Sequence, residues 1–171
     1  MPSHRYPGLL PKGVTAMALS AVLACSSAIA ADGATAPTLQ VGDPFPEWEL
    51  TDQFDDPHRL PGDATKAIVF SRSKQADESL APVLESLAGE RLASGEVVYL
   101  SDISRMPGLI SSLFALPSLR DRDYPVVLIR EEGVSTPLVT REDCLVRYQL
   151  DQGRVVSRDD LCTEADVEAA F

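Results

Sequence analysis

The chain has 171 residues, with 26 acidic and 15 basic side chains and a formal net charge of −11. This length suits one ordinary domain beside a targeting segment. The negative charge argues against nucleic acid and anionic membrane surfaces as partners, because both attract basic proteins. We therefore expect one acidic domain.

Residues 1–30 have the pattern of a signal peptide. Two basic residues precede the apolar run Val14–Ala24, which is too short to span a bilayer, and Ala28-Ile29-Ala30 matches a signal-peptidase site. Cleavage leaves thirteen basic against twenty-six acidic residues, a net charge of −13. We expect a periplasmic or secreted protein. The alternative is a lipoprotein anchored through Cys25, because Val22-Leu23-Ala24-Cys25 resembles a lipobox; otherwise we expect no stable membrane insertion.

Residues 31–40 are small, contain proline and show no periodicity, which predicts a flexible leader before a domain over 41–171. Turn-forming residues at 42–44 and 55–57 flank the semi-apolar segment Phe45–Leu50. This pattern predicts a short strand or a β-hairpin that packs onto the domain.

The next segments alternate between strand and helix patterns. Ala67–Phe70 and Val97–Leu100 are compact apolar runs typical of buried strands. Between them, apolar residues at helical spacing predict a helix that begins near Glu78 to Leu80, with Pro82 in its first turn. A second helix is expected over 107–116, ended by Pro117.

The last third of the chain predicts three strands and a helix. Tyr124–Ile129 is a third apolar strand, and the segments 145–150 and 154–156 form a hairpin around Gly153. Thr163 is a suitable N-cap for a helix that continues to Phe171. The order predicts an α/β fold, a mixed central sheet with helices on both faces. We expect the first two core strands to be parallel and Val126–Ile129 to be antiparallel to the first.

The opening of the domain resembles a known superfamily. The residues Val41-Gly42-Asp43, Pro46, Leu50-Thr51-Asp52-Gln53 and Pro57 are similar to the start of thioredoxin-like proteins of the peroxiredoxin-like and thiol-disulfide reductase branches. The resemblance implies a three-layer thioredoxin-like sandwich. It also implies that Tyr124–Pro125 is the cis-proline that faces the active site in that superfamily.

The catalytic cysteine of those proteins follows the first core strand, and here the loop from Ser71 to Ser79 contains none. A serine hydroxyl barely ionises at neutral pH and cannot replace a thiolate. We therefore expect no catalytic residues and no cofactor. The expected function is that of a non-catalytic binding or accessory module for a protein or small ligand in the periplasm. One alternative is an oxidoreductase that uses a bound cofactor such as a flavin.

The binding surface implied by this reasoning comprises Ser71, Arg72, Ser73 and Lys74 together with Tyr124 and Pro125. Asp-Asp-Pro at 55–57 is ordinary turn chemistry and His58 is the only histidine after the signal peptide, so we expect no metal site. The charged residues at 102–105 and 120–123 alternate in sign and are expected to form exposed ion pairs.

Cys144 and Cys162 flank the predicted hairpin and are the cysteines that remain after cleavage. If residue 150 pairs with residue 154, residue 144 faces residue 160, close enough for a disulfide in an oxidising compartment. We expect a structural disulfide at the far end of the fold from the candidate loop. A disulfide carrier that uses both cysteines is the remaining alternative.

Overall fold

A computed structural model of the protein describes residues 38–108 and 116–171. Seven strands and three helices lie in these ranges: β1 (Trp48–Asp52), β2 (Pro57–Leu60), β3 (Ala67–Ser71), α1 (Lys74–Ala93), β4 (Val97–Asp102), α2 (Leu116–Arg120), β5 (Val126–Ile129), β6 (Leu145–Asp151), β7 (Arg154–Leu161) and α3 (Glu164–Ala170). No helix within them is long and apolar enough to cross a membrane. The predicted signal peptide and most of the helix expected over 107–116 lie outside the described residues.

The strands form one mixed sheet in the order β2-β1-β5-β4-β3-β6-β7. The predicted α/β class and mixed sheet are confirmed, and the expected hairpin after the leader is β1–β2, which joins the sheet by antiparallel pairing of β1 with β5. β3 and β4 are parallel, as expected.

The predicted direction of Val126–Ile129 is wrong, because β5 pairs with β4 in parallel. The antiparallel partner of β3 is β6 instead. Tyr124–Pro125 is also not a cis-proline: the cis bond found in the described residues is Leu60–Pro61. Trans is the lower-energy form of an X–Pro bond, and the resemblance alone gave no contact that would overcome this preference.

Alternating side chains on the strands divide the core into two clusters. One cluster joins the sheet to α1, α2 and α3 through residues such as Leu84 and Val167. The other contains Phe70 and Tyr148 and is covered by the chain at 39–45 and by the loop after β5. In the described ranges the helices pack on the first of these two faces.

Helix α1 begins at Lys74, earlier than predicted, because Ser73 caps it by accepting a hydrogen bond from the amide of Ala76. Pro82 lies inside this helix on an exposed position, where its missing N–H leaves a carbonyl open to water. The predicted stop at Pro117 is also wrong, because α2 is helical across it. A proline removes only its own amide hydrogen bond, so the residues that follow it can remain helical.

The packed part of the chain begins before Val41. Leu39 is buried, and its amide donates to the carbonyl of Pro137 at 2.8 Å. At the other end, Thr163 caps α3 with a capping box that includes Asp166, as the sequence predicts.

Candidate functional site

Three loops meet at the carboxyl edge of the parallel strands. The loop after β3 contains Arg72 and Ser73, the loop after β4 contains Ser104 and Arg105, and the long loop after β5 extends over 130–144. Parallel strands place their carboxyl ends at one edge of a sheet, which is where open α/β sheets commonly bind ligands.

A buried ion pair connects the three loops. Nε and Nη2 of Arg72 lie 2.9 and 2.7 Å from Oδ2 of Asp102, whose side chain is fully buried. Ser135 Oγ, from the loop after β5, donates to the same carboxylate oxygen at 2.5 Å and also accepts from Arg72 Nη2. Oδ1 of Asp102 accepts from the amide of Ser104 at 2.9 Å. One carboxylate therefore fixes the positions of all three loops.

Asp102 stays ionised in this setting. Burial raises the pKa of its carboxyl, but the hydrogen bonds from Ser104, Ser135 and Arg72 lower the pKa more, so the net shift is downward. The carboxylate therefore remains charged over the physiological pH range. The sequence-based expectation of an exposed ion pair at residue 102 is wrong, since the partner of Asp102 is thirty positions away in the chain.

A groove lies over this ion pair. One part has a volume of about 410 Å³ and is lined by Arg72 and Arg105 with the hydroxyl residues Ser104, Ser135, Thr136 and Thr140. An adjoining part of about 470 Å³ shares Arg72, Arg105 and Thr140 and extends to Glu142 and Asp143. These volumes fall in the range of sites for small ligands, about 300–1,000 Å³.

Ser71, Ser73 and Lys74 occupy different environments. Ser73 lies in the groove, where its Oγ donates to Asp143 Oδ1 at 3.3 Å. Lys74 is exposed and pairs with Glu78 at 3.3 Å, an i,i+4 pair of small energetic value. Ser71 is buried, and its hydrogen bond to Asp77, in the first turn of α1, acts to lower the pKa of that carboxyl.

A second polar group lies on the face of the sheet that the helices cover, and it consists of Ser71, Asp77, Tyr99 and Tyr124. Tyr99 Oη donates to Asp77 Oδ1 at 2.5 Å, and the rings of Tyr99 and Tyr124 meet edge to face at 6.2 Å. The hydroxyl of Tyr124 is buried and has no hydrogen-bond partner in the described part of the chain. Tyr124 and the half-buried Pro125 do not line the groove described above, so the predicted surface divides into two places.

Burial governs the ionisation of this second group. It raises the pKa of Asp77 more than the hydrogen bonds from Ser71 and Tyr99 lower it. Burial is also the main cause that raises the pKa of Tyr124 to about 12. The phenols therefore stay neutral, and Asp77 is held in a setting that disfavours its charge.

The cysteines are joined by a disulfide with a Cα–Cα distance of 4.2 Å. A bulge between Gln149 and Leu150 shifts the pairing, so Leu145 faces Leu161 and the next residues, Cys144 and Cys162, face each other. The predicted opposition of residues 144 and 160 is wrong for two reasons. Leu150 pairs with Val155 and not with Arg154, and the bulge then shifts the register by one more residue.

The expected location of the disulfide is also wrong. Phe70 pairs with Val146, so Cys144 lies level with Arg72 and at the candidate edge. The neighbouring residue, Asp143, accepts from Ser73 at the start of α1. Cys144 is buried, whereas Cys162 is exposed. Cys144 therefore lies directly before β6, at the same edge of the sheet as the candidate loop.

The segment between β1 and β2 forms a turn just before His58, in agreement with the sequence-based interpretation. Asp52 accepts hydrogen bonds from the amides of Phe54 and Asp56, and its Oδ2 lies 2.8 Å from Nε2 of His58. Within the described ranges, no group of three or more potential metal ligands is present.

Comparison with solved structures identifies the architecture. The fold is similar to that of a protein described as a DsbE thiol:disulfide interchange protein of Chlorobium tepidum, with 17% identity, a TM-score of 0.56 and coverage of 78% of this chain and 94% of the other. A protein described as a disulfide isomerase of Bacteroides thetaiotaomicron gives 14% identity, a TM-score of 0.54 and coverage of 77% and 86%. A protein described as a thio-disulfide isomerase of Thermus thermophilus gives 19% identity, a TM-score of 0.50 and coverage of 77% of this chain and 94% of the other.

No protein-family model matches the chain, and no curated protein sequence matches it. The structural likeness at these identities concerns the fold and not the chemistry. The order of elements, the mixed sheet and these comparisons together show that the chain has a thioredoxin-like fold.

Proposed function

We propose that this chain is an exported, non-catalytic binding module that holds a ligand in the groove at the carboxyl edge of its sheet. The observation that carries the proposal is the buried Arg72–Asp102–Ser135 cluster. Its arginine lies in the loop after β3, where the resemblance places a catalytic thiol, and the cluster connects the three loops that line the groove. Export is supported by the signal-peptide pattern of residues 1–30.

Rigid loops favour binding because little conformational entropy is lost when a ligand orders a surface that is already fixed. Asp102 fixes the loops beneath the groove, and the exposed Arg105 places a positive charge in the groove. A serine-containing loop without a thiolate supports neither disulfide reduction nor peroxide reduction by itself.

The test uses protein isolated without reductant from its exported compartment and examined by native mass spectrometry. We expect a bound molecule in the wild type that is lost in Arg105→Ala. Arg59→Ala is the matched control, because Arg59 is an exposed arginine on β2, which lies at the edge of the sheet away from the groove. Wild-type protein without any bound molecule, or equal occupancy in the two variants, would contradict the proposal.

A second candidate function is that of a disulfide carrier. It is favoured by the exposure of Cys162 and by the position of Cys144 beside the start of α1. In a glutathione buffer poised at about −200 mV, a carrier is partly reduced, whereas a structural disulfide with a potential below about −300 mV stays oxidised. Free thiols counted by mass after alkylation therefore distinguish the two functions.

A further inference from the structure

The groove contains charged side chains that lack a protein partner. Arg105 lines both parts of the groove and forms no ion pair with the described residues. Glu132 in the first part and Glu142 in the second are likewise unpaired within 38–108 and 116–171. By contrast, the groove arginines Arg72 and Arg141 pair with Asp102 and Asp160. The unpaired cation therefore shares the groove with unpaired carboxylates.

This arrangement disfavours ligands whose charges are all negative or all positive. A dianion attracted to Arg105 also meets Glu132, Glu142 and Asp143 along the same groove. A simple cation meets the guanidinium groups instead. Charges a few ångströms apart at a protein surface interact strongly enough to impose such a penalty, before salt screening reduces it.

Building on the proposed function, we infer that the groove binds a small zwitterion of the amino-acid or short-peptide class. Its carboxylate lies at Arg105, whose planar guanidinium suits a two-oxygen acceptor. Thr140 shares both parts of the groove with Arg105 and offers a hydroxyl donor. The ammonium group lies toward Glu142, because Asp143 lines the same part and adds a second carboxylate there.

The probe is tri-alanine with free ends, titrated into full-length mature protein and followed by calorimetry and by backbone amide shifts. We expect saturable binding that weakens at least tenfold when the peptide is N-acetylated and, separately, when it is C-amidated. Arg105→Ala and Glu142→Gln abolish the binding. Arg59→Ala, which lies outside the groove, binds as the wild type does, and thermal melts verify that each variant is folded.

Equal binding of blocked and free peptides, or no binding of the free peptide at millimolar concentration, would overturn this inference. That failure is distinguishable from failure of the proposed function. If the protein from the exported compartment still carries a molecule that Arg105→Ala loses, the binding module stands and its ligand is of another class. If no such molecule is present, both fall.

Discussion

At the residue scale, two aspartates on opposite faces of the sheet, the buried Asp102 and the half-buried Asp77, have opposite electrostatic roles. Asp102 is stabilised as a carboxylate by Arg72 and by hydroxyl and amide donors. Asp77 lies in the first turn of α1 and accepts from the neutral phenol of Tyr99, and burial is the largest influence on its pKa. The folded state therefore favours the charge of one aspartate and disfavours that of the other.

We predict that Asp102→Asn destabilises the protein at neutral pH and reduces its sensitivity to acid. The pKa of Asp102 is lowered in the folded state, so its contribution is present above the unfolded pKa near 3.9 and is lost as the pH falls through the lower folded value. Breaking a buried ion pair typically costs about 3–5 kcal/mol, and the 24% exposure of the Arg72 side chain favours the lower end.

The measurement is urea unfolding from pH 7 down to pH 2. The free energy of unfolding of the variant should fall less steeply below pH 4 than that of the wild type. Asp55→Asn is the control, because the Asp55 side chain is 62% exposed and pairs with Arg130 at the surface. Parallel curves for wild type and Asp102→Asn would show that the carboxylate contributes no charge-dependent stability.

We predict that Asp77→Asn slightly stabilises the protein at pH 7 and has no such effect at pH 3. The folded pKa of Asp77 is raised, so its favourable contribution is present below the unfolded pKa and is lost as the pH rises through the folded value. Asparagine keeps an acceptor for Tyr99 without the charge. Thermal melts at both pH values test this, with the exposed neighbour Glu78→Gln as the control; a lower melting temperature for Asp77→Asn at pH 7 contradicts it.

At the scale of elements, the β6–β7 hairpin joins the groove to the end of the chain. Its disulfide lies between the groove residue Asp143 and the N-cap of α3, Thr163. Reading the hairpin from sequence identified both strands, because alternation and Gly153 are local signals. The register that brings the cysteines opposite each other depends on the pairing next to the turn and on a bulge between Gln149 and Leu150, and neither was visible in that pattern.

We predict that replacing both cysteines by serine lowers the melting temperature by several degrees and loosens α3. The cysteines are separated by 18 positions, and closing a loop of that size stabilises by about 3 kcal/mol in the chain-entropy model. Hydrogen exchange of the amides over 164–170 should speed up in the double variant. Unchanged melting and unchanged exchange would show that hairpin pairing alone holds this region.

At the scale of the whole molecule, the sequence predicted the class of fold but not all of its connections. The buried strands β3, β4 and β5 are short apolar runs and were recognised individually. Their directions depend on which strands become neighbours. The strand after Pro125 was expected to be antiparallel to β3, whereas the antiparallel neighbour of β3 is β6.

The site was predicted in part for the same reason. Arg72 and Ser73 lie in the loop that the resemblance marks, so sequence reasoning found them. Asp102 and Ser135 join Arg72 across 30 and 63 positions, and no local pattern encodes such contacts. Arg105 was assigned to exposed ion pairs because its neighbours in sequence are charged, whereas it has no ion-pair partner in the described ranges.

We predict that the mature protein shows background activity in insulin reduction and in peroxide consumption. Both reactions require a thiolate, and Cys144 and Cys162 are joined in the disulfide. Turnover that the double serine variant loses would favour the carrier function. Turnover that survives in that variant, together with visible absorption, would indicate a bound cofactor such as a flavin.

The outer strands of the sheet bear on self-association. β2 has only four residues and begins with Pro57, which lacks an amide hydrogen. On β7, Val155 exchanges backbone hydrogen bonds with Gly42 and Asp43, so the entry segment already occupies part of that edge. The remainder of β7 contains Arg158, Asp159 and Asp160. Neither border offers a long, uncharged row of free amides and carbonyls, so copies of this protein should stay dispersed at high concentration instead of stacking into fibrils.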